Sequence, residues 1–133
     1  MGAWGYKYYE NDSAADWFAD FWENPDFAGI ITLVDEFDSD DENGIVFIRA
    51  AAHLLSFFDN FYIMPEPLAD EHERLIKRII EILENTIDPT HEYHKAFVET
   101  WDDDEELFAE IRNDIDKLTN VAQRLYGDEQ DEA

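Results

Sequence analysis

Apolar residues return at three- and four-residue intervals through almost the whole chain, and this spacing limits the fold more than any other feature. On a helix, positions i, i+3, i+4 and i+7 share a face, whereas a strand changes face at every residue. Ala14, Trp17, Phe18, Phe21 and Trp22 obey the helical rule directly after the capping residues Asn11, Asp12 and Ser13. Leu68, Leu75, Ile76, Ile79, Ile80, Leu83 and Ile87 obey it over a longer stretch. Tyr93, Phe97 and Trp101 repeat every four residues behind Asp88 and Pro89, a cap and first-turn pair. Leu107, Ile111, Ile115, Leu118, Ala122 and Leu125 then lead to Gly127, which suits a helix stop. Ile45 to Phe58 is apolar on most sides, as a central helix would be, except for Arg49, His53 and Ser56 in one stripe at i, i+4 and i+7. Residues 27–37 read as a shorter helix, although Ile30 to Val34 alone also suits a strand. The expectation is an all-α fold, a single-domain irregular bundle of about six helices over residues 1–127, with 128–133 as a disordered acidic tail.

Charge narrows what such a bundle can do. Acidic residues number 34 against 9 basic ones, a formal net charge of -25, while 45% of the 133 residues are hydrophobic. That much apolar surface offsets the entropy of ordering the chain, so the charge does not signal disorder. A field of this sign repels nucleic acid and anionic membrane surfaces and attracts basic proteins or cations. Solubility alone, or adaptation to high salt, would also produce an acidic chain. No cysteine is present, which removes disulfides, thiol chemistry and Cys-based zinc sites. The start carries no basic and apolar leader pattern and no apolar run has membrane-spanning length, so a soluble cytoplasmic protein is expected. Repulsion among so many carboxylates also predicts that added salt, and acidification from pH 7 toward about 5, raise the melting temperature.

The opening Met1-Gly2-Ala3-Trp4-Gly5, followed by Tyr9-Glu10-Asn11-Asp12-Ser13-Ala14-Ala15-Asp16-Trp17, resembles the N-terminal signature of a bacterial family known as domain of unknown function 4259. The resemblance implies a small bacterial cytoplasmic protein and brings no established activity or catalytic residue with it. Trp4, Gly5, Asn11, Asp12, Asp16 and Trp17 carry the match. Their residue types fit a structural role, with Trp4 packing on Trp17 and Asn11 and Asp12 capping the first helix.

Few residues suggest chemistry. There is no Gly-x-Ser-x-Gly elbow, no phosphate-cradling glycine loop and no His-Glu-x-x-His pair, so no catalytic residue is assigned, no enzyme is expected and no cofactor is implied. Counting twelve positions from Asp38 reaches Arg49 where a calcium loop needs glutamate, which excludes an EF-hand. His91 and His94, three apart and near Asp88 and Glu92, are the only pair on which a metal-dependent enzyme or metal-binding protein could be built. His72, His91 and His94 read as exposed, and His53 as a partly buried, hydrogen-bonding core residue beside Arg49. Arg74, Lys77 and Arg78 read as partners of Asp70, Glu71, Glu73, Glu81 and Glu84 on the same helix. The leading expectation is an acidic protein-binding module, possible in concrete form as an inhibitor or immunity-type protein that neutralises a basic partner such as a nuclease toxin. Its contact residues are expected in two acidic segments: Asp35, Glu36, Asp38, Asp40, Asp41 and Glu42, and Asp102, Asp103, Asp104, Glu105 and Glu106.

Overall fold

The computed structural model describes residues 16–17, 27–41, 43–58, 64, 66–101 and 104–131. Five helices are complete among them: α1 (Phe27–Asp35), α2 (Gly44–Ser56), α3 (Glu66–Ile87), α4 (Glu92–Trp101) and α5 (Glu105–Asp131). No described residue is in a strand, and the fold is an all-α bundle. Of the helix expected from Ala14 to Trp22, Asp16 and Trp17 are described and helical; Trp4, Gly5, Asn11 and Asp12 lie outside the described residues. Asp16 is exposed, and Trp17 packs partly buried against the core.

Burial decides between helix and strand for α1. A strand would put Ile30, Thr32 and Val34 on one face, but Thr32 is exposed while Ile30 and Val34 are buried, a four-residue repeat. The chain then turns at the acidic loop. Asp40 N–H donates to Asp38 Oδ1 and Asn43 N–H to Asp41 Oδ1, each at 2.9 Å, so two of the loop's carboxylates hold its own backbone. Gly44 lets the loop fold tightly against the start of α2, since a Cβ there would lie 2.9 Å from the Asp38 carbonyl oxygen.

Helix α2 is buried along most of its length, and Ala50, Ala51 and Ala52 keep its neighbours close. The hub of the packing is nonetheless α3, which lies against each of the other four helices. Its buried residues, Leu68, His72, Leu75, Ile76, Ile79, Ile82, Leu83 and Thr86, follow the helical period. Each large aliphatic side chain enclosed this way contributes about 1.5–3 kcal/mol relative to exposure.

Two helix ends differ from expectation. Asp88 does not cap α4; its Oδ1 accepts from Thr90 N–H and Oγ1–H at 2.9 and 2.7 Å in the preceding turn. The cap is His91, whose Nδ1 accepts the Tyr93 N–H at 3.1 Å. At the other end, α5 does not stop at Gly127 but runs to Asp131, so residues 128–131 are helical and not a disordered tail. Glycine weakens a helix by about 1 kcal/mol relative to alanine without ending it, and no proline follows to force a stop.

Candidate functional site

The acidic loop after α1 borders a shallow cleft, to which it contributes Phe37, Ser39 and Asp41. The loop after α1 lies against α4, and the space between them is lined by Phe37, Tyr93, Phe97 and Trp101, with Asp41 and Thr100 among its polar edges. Phe97 is buried and holds the floor, while Phe37, Tyr93 and Trp101 are half-buried walls. Phe37 and Tyr93 meet edge to face, with centroids 5.3 Å apart and planes at 73°, which ties the loop to the helix. Trp101 ends α4 and Asp104 stands three residues later, so their Cα atoms are within about 11 Å whatever path the chain takes between them. Asp104 caps α5 by accepting from Glu106 N–H at 2.9 Å and Leu107 N–H at 3.4 Å, and Glu105 and Glu106 occupy the favourable first turn.

The expected contact residues thus have different duties. Glu36, Asp40, Asp41, Glu105 and Glu106 are exposed. Asp38, Asp41 and Asp104 shape backbone turns as well as carrying charge. Glu42, Asp102 and Asp103 lie outside the described residues. Asp35 is spent inside the molecule: both its oxygens accept from Arg74, at 2.7 and 3.2 Å, and the guanidinium holds its carboxyl below the usual carboxylate range. Arg74 also donates to Glu71, Lys77 to Glu73 and Arg78 to Glu81, so the basic stripe of α3 is paired as its spacing predicts, with Asp35 as an added partner from another helix.

A second polar region lies inside the bundle. The α2 stripe faces α5, where Arg49 Nε donates to Asp114 Oδ2 at 2.5 Å with both side chains nearly enclosed. Burial pushes the Asp114 carboxyl up, and the adjoining Arg49 charge pulls it back down. His53 is half-buried, as expected; its ring meets Phe57 at 4.7 Å, and burial, then the nearby Lys117 charge, lowers its pKa to about 4. His53, Ser56, Asp114 and Lys117 border a small cleft here. The Ser56 hydroxyl donates to the His53 carbonyl at 2.6 Å, so it does not face the imidazole as an activated nucleophile would.

His72 corrects the expectation of an exposed residue, since it is fully buried. Its Nε2 lies 3.1 Å from the Leu55 carbonyl oxygen, which can only accept, so that nitrogen carries the proton. Nδ1 must then accept, and the Tyr126 hydroxyl donates to it at 2.7 Å. Burial lowers the His72 pKa and raises that of Tyr126 to about 12. The remaining pair also does structural work: His91 Nδ1 caps α4, while His94 Nδ1 donates to the Thr86 carbonyl and its ring stacks on Phe108 at 5.3 Å. Among the described residues no group of three or more His, Asp and Glu side chains comes together as a metal site.

Asp114, His72 and Tyr126 were not singled out as functional in the sequence. A signal existed for two of them, because His72 falls between Leu68 and Leu75 and Asp114 between Ile111 and Leu118, each on the buried register of its helix. The fold and these contacts define an all-α bundle with a buried polar seam and one acid-edged aromatic cleft. Residues 2–114 match the family described as Domain of unknown function (DUF4259), and the chain belongs to it. Neither a curated protein nor a solved structure matches the chain. No helix among the described residues is long and apolar enough to cross a membrane.

Proposed function

We propose that this protein is a binding module, not an enzyme, and that its acidic cleft face docks a basic protein. The observation that carries this reading is an exposed acidic loop, with Asp38, Asp40 and Asp41, beside a cleft lined by Phe37, Tyr93, Phe97 and Trp101. Half-buried aromatic side chains supply the apolar part of a contact, and nearby carboxylates speed and orient the approach of a basic surface. The basic residues of α3 are paired with Asp35, Glu73 and Glu81. In concrete form the module is an inhibitor or immunity-type protein of the bacterial cytoplasm that covers the basic cleft of a partner such as a nuclease toxin.

The test is capture of basic proteins from the host lysate at low and at high salt. Asp38, Asp40 and Asp41 are replaced together by Asn in a parallel sample, which removes charge while leaving amide oxygens to hold the loop turns. A basic partner retained by the natural chain, and released by salt or by the substitutions, is the expected result. Retention that ignores the substitutions, or no basic protein retained at low salt, sinks the reading.

A further inference from the structure

We propose that His91 is a pH-sensitive cap: when its imidazole takes up a proton, the Tyr93 N–H loses its acceptor and the first turn of α4 loosens. The geometry fixes which nitrogen matters. Tyr93 N–H donates to His91 Nδ1 at 3.1 Å, so Nδ1 must present a lone pair and the proton of the neutral ring sits on Nε2. A second proton can add only at Nδ1, which then becomes a donor facing another donor. The new charge also falls at a helix N-terminus, where the macrodipole disfavours a cation. The ring is half-buried, so protons from solvent reach it without opening of the bundle.

Two other contacts in the chain set this one apart. Asp104 caps α5 with the same spacing, accepting the Glu106 N–H two residues ahead at 2.9 Å, but a carboxylate stays ionised down to about pH 4. Histidine is the side chain that changes charge between about pH 8 and 5. His94, on the same helix as Tyr93, keeps its bond to the Thr86 carbonyl in either state, because Nδ1 donates whether the ring is neutral or charged. Surrounding charges act in both directions. The Asp88 carboxyl, in the turn before α4, is held low first by its Thr90 hydrogen bonds and then by the His91 and His94 charges, so it is ionised and favours the imidazolium. Exposed Glu92 on α4 acts with it, and exposed Lys95 against it. From α3, Arg78 donates to the Tyr93 hydroxyl and pairs with Glu81; from the acidic loop, Asp41 lines the cleft with Tyr93. The His91 and Tyr93 rings meet at 4.6 Å, so loosening begins at a wall of that cleft. The device belongs to the fold and holds whether or not a partner docks there.

Amide exchange read by NMR at about pH 7.5 and 5.5 tests this in the full chain, in its natural form and as His91→Asn, which supplies a neutral acceptor at every pH. Protection factors remove the intrinsic pH dependence of exchange. Burial depresses His53 and His72, which keeps their charging toward the acid side of the window. The expected result is that protection of the Tyr93 amide falls about fivefold on acidification, equivalent to about 1 kcal/mol for a lost cap. The Glu106 amide, capped by Asp104, should change less than about twofold, and His91→Asn should hold the Tyr93 amide level. Unchanged Tyr93 protection in the natural chain overturns the proposal, as does an equal fall in His91→Asn. Equal falls at Tyr93 and Glu106 also overturn it, since they report loosening of the whole bundle. Comparison of these two caps within the natural chain decides the matter even if the variant does not fold.

Discussion

Arg49 and Arg74 each join two helices by an ion pair, but in opposite surroundings. The Arg49–Asp114 side chains are 7% and 11% exposed, whereas those of Arg74 and Asp35 are 46% and 44% exposed. Water and salt screen the second pair, so its two hydrogen bonds fasten α1 to α3 at little net gain. The first pair lost most of its water on folding, so removing one member costs more there than at the surface. The difference teaches where this chain tolerates its charge. Outside, an ion pair stays in contact with water; inside, Asp114 meets Arg49 where α2 packs on α5.

The sharpest break of that comparison is Asp114→Ala, which removes the buried carboxylate that Arg49 meets between α2 and α5. It should destabilise the fold by about 3–5 kcal/mol in urea denaturation. Replacing both members, as Arg49→Met with Asp114→Leu, should recover much of that loss because no unpaired charge remains. A single-variant loss under about 1 kcal/mol would mean that water reaches the pair.

Acid should separate the regions next. The folded chain holds His53 and His72 with depressed pKa values, caused first by burial in both cases. The unfolded chain takes up protons on both residues below about pH 6.5, so it binds more protons than the folded chain and stability falls as pH drops. Each histidine adds a slope of up to about 1.4 kcal/mol per pH unit, less for the half-exposed His53. This opposes the stabilisation expected from relieving carboxylate repulsion, to which Asp114, held up by burial, adds. We expect the melting temperature to decline from pH 6.5 to 4.5 in the natural chain. In the His53→Gln, His72→Gln double variant it should stay level or rise. A natural chain that grows more stable over this range would show that surface repulsion outweighs the two histidines.

The smallest effect belongs to the exposed pair. Arg74→Ala should cost less than about 1 kcal/mol, and that loss should shrink further near 1 M NaCl. Over the same salt series the natural chain's melting temperature should rise, because its -25 net charge repels itself. A larger, salt-independent loss in Arg74→Ala would place the Asp35 grip among the structural contacts of the core.

Much of the helical pattern was legible because apolar period is a local property. The α3 face from Leu68 to Ile87 could be read directly, as could the pairing of Lys77 with Glu73 and of Arg78 with Glu81. For α1 the short apolar run fitted two periods, and only the exposure of Thr32 between buried Ile30 and Val34 separated them. His72 was misread because its polarity outweighed its register; the Leu55 carbonyl and Tyr126 hydroxyl that let it be buried come from other helices.

By itself, the sequence determined the all-α class, the acidic surface and its two charged segments, since residue type and spacing decide these within a few turns of chain. Only tertiary structure decided that Asp41 and Trp101 share a cleft, that Asp35 serves Arg74, and that Asp114 lies against Arg49 across 65 positions. Those contacts depend on which helices pack together and at what rotation. Packing follows from the combined burial of many apolar faces, so no single segment carries the information that brings two distant charges together.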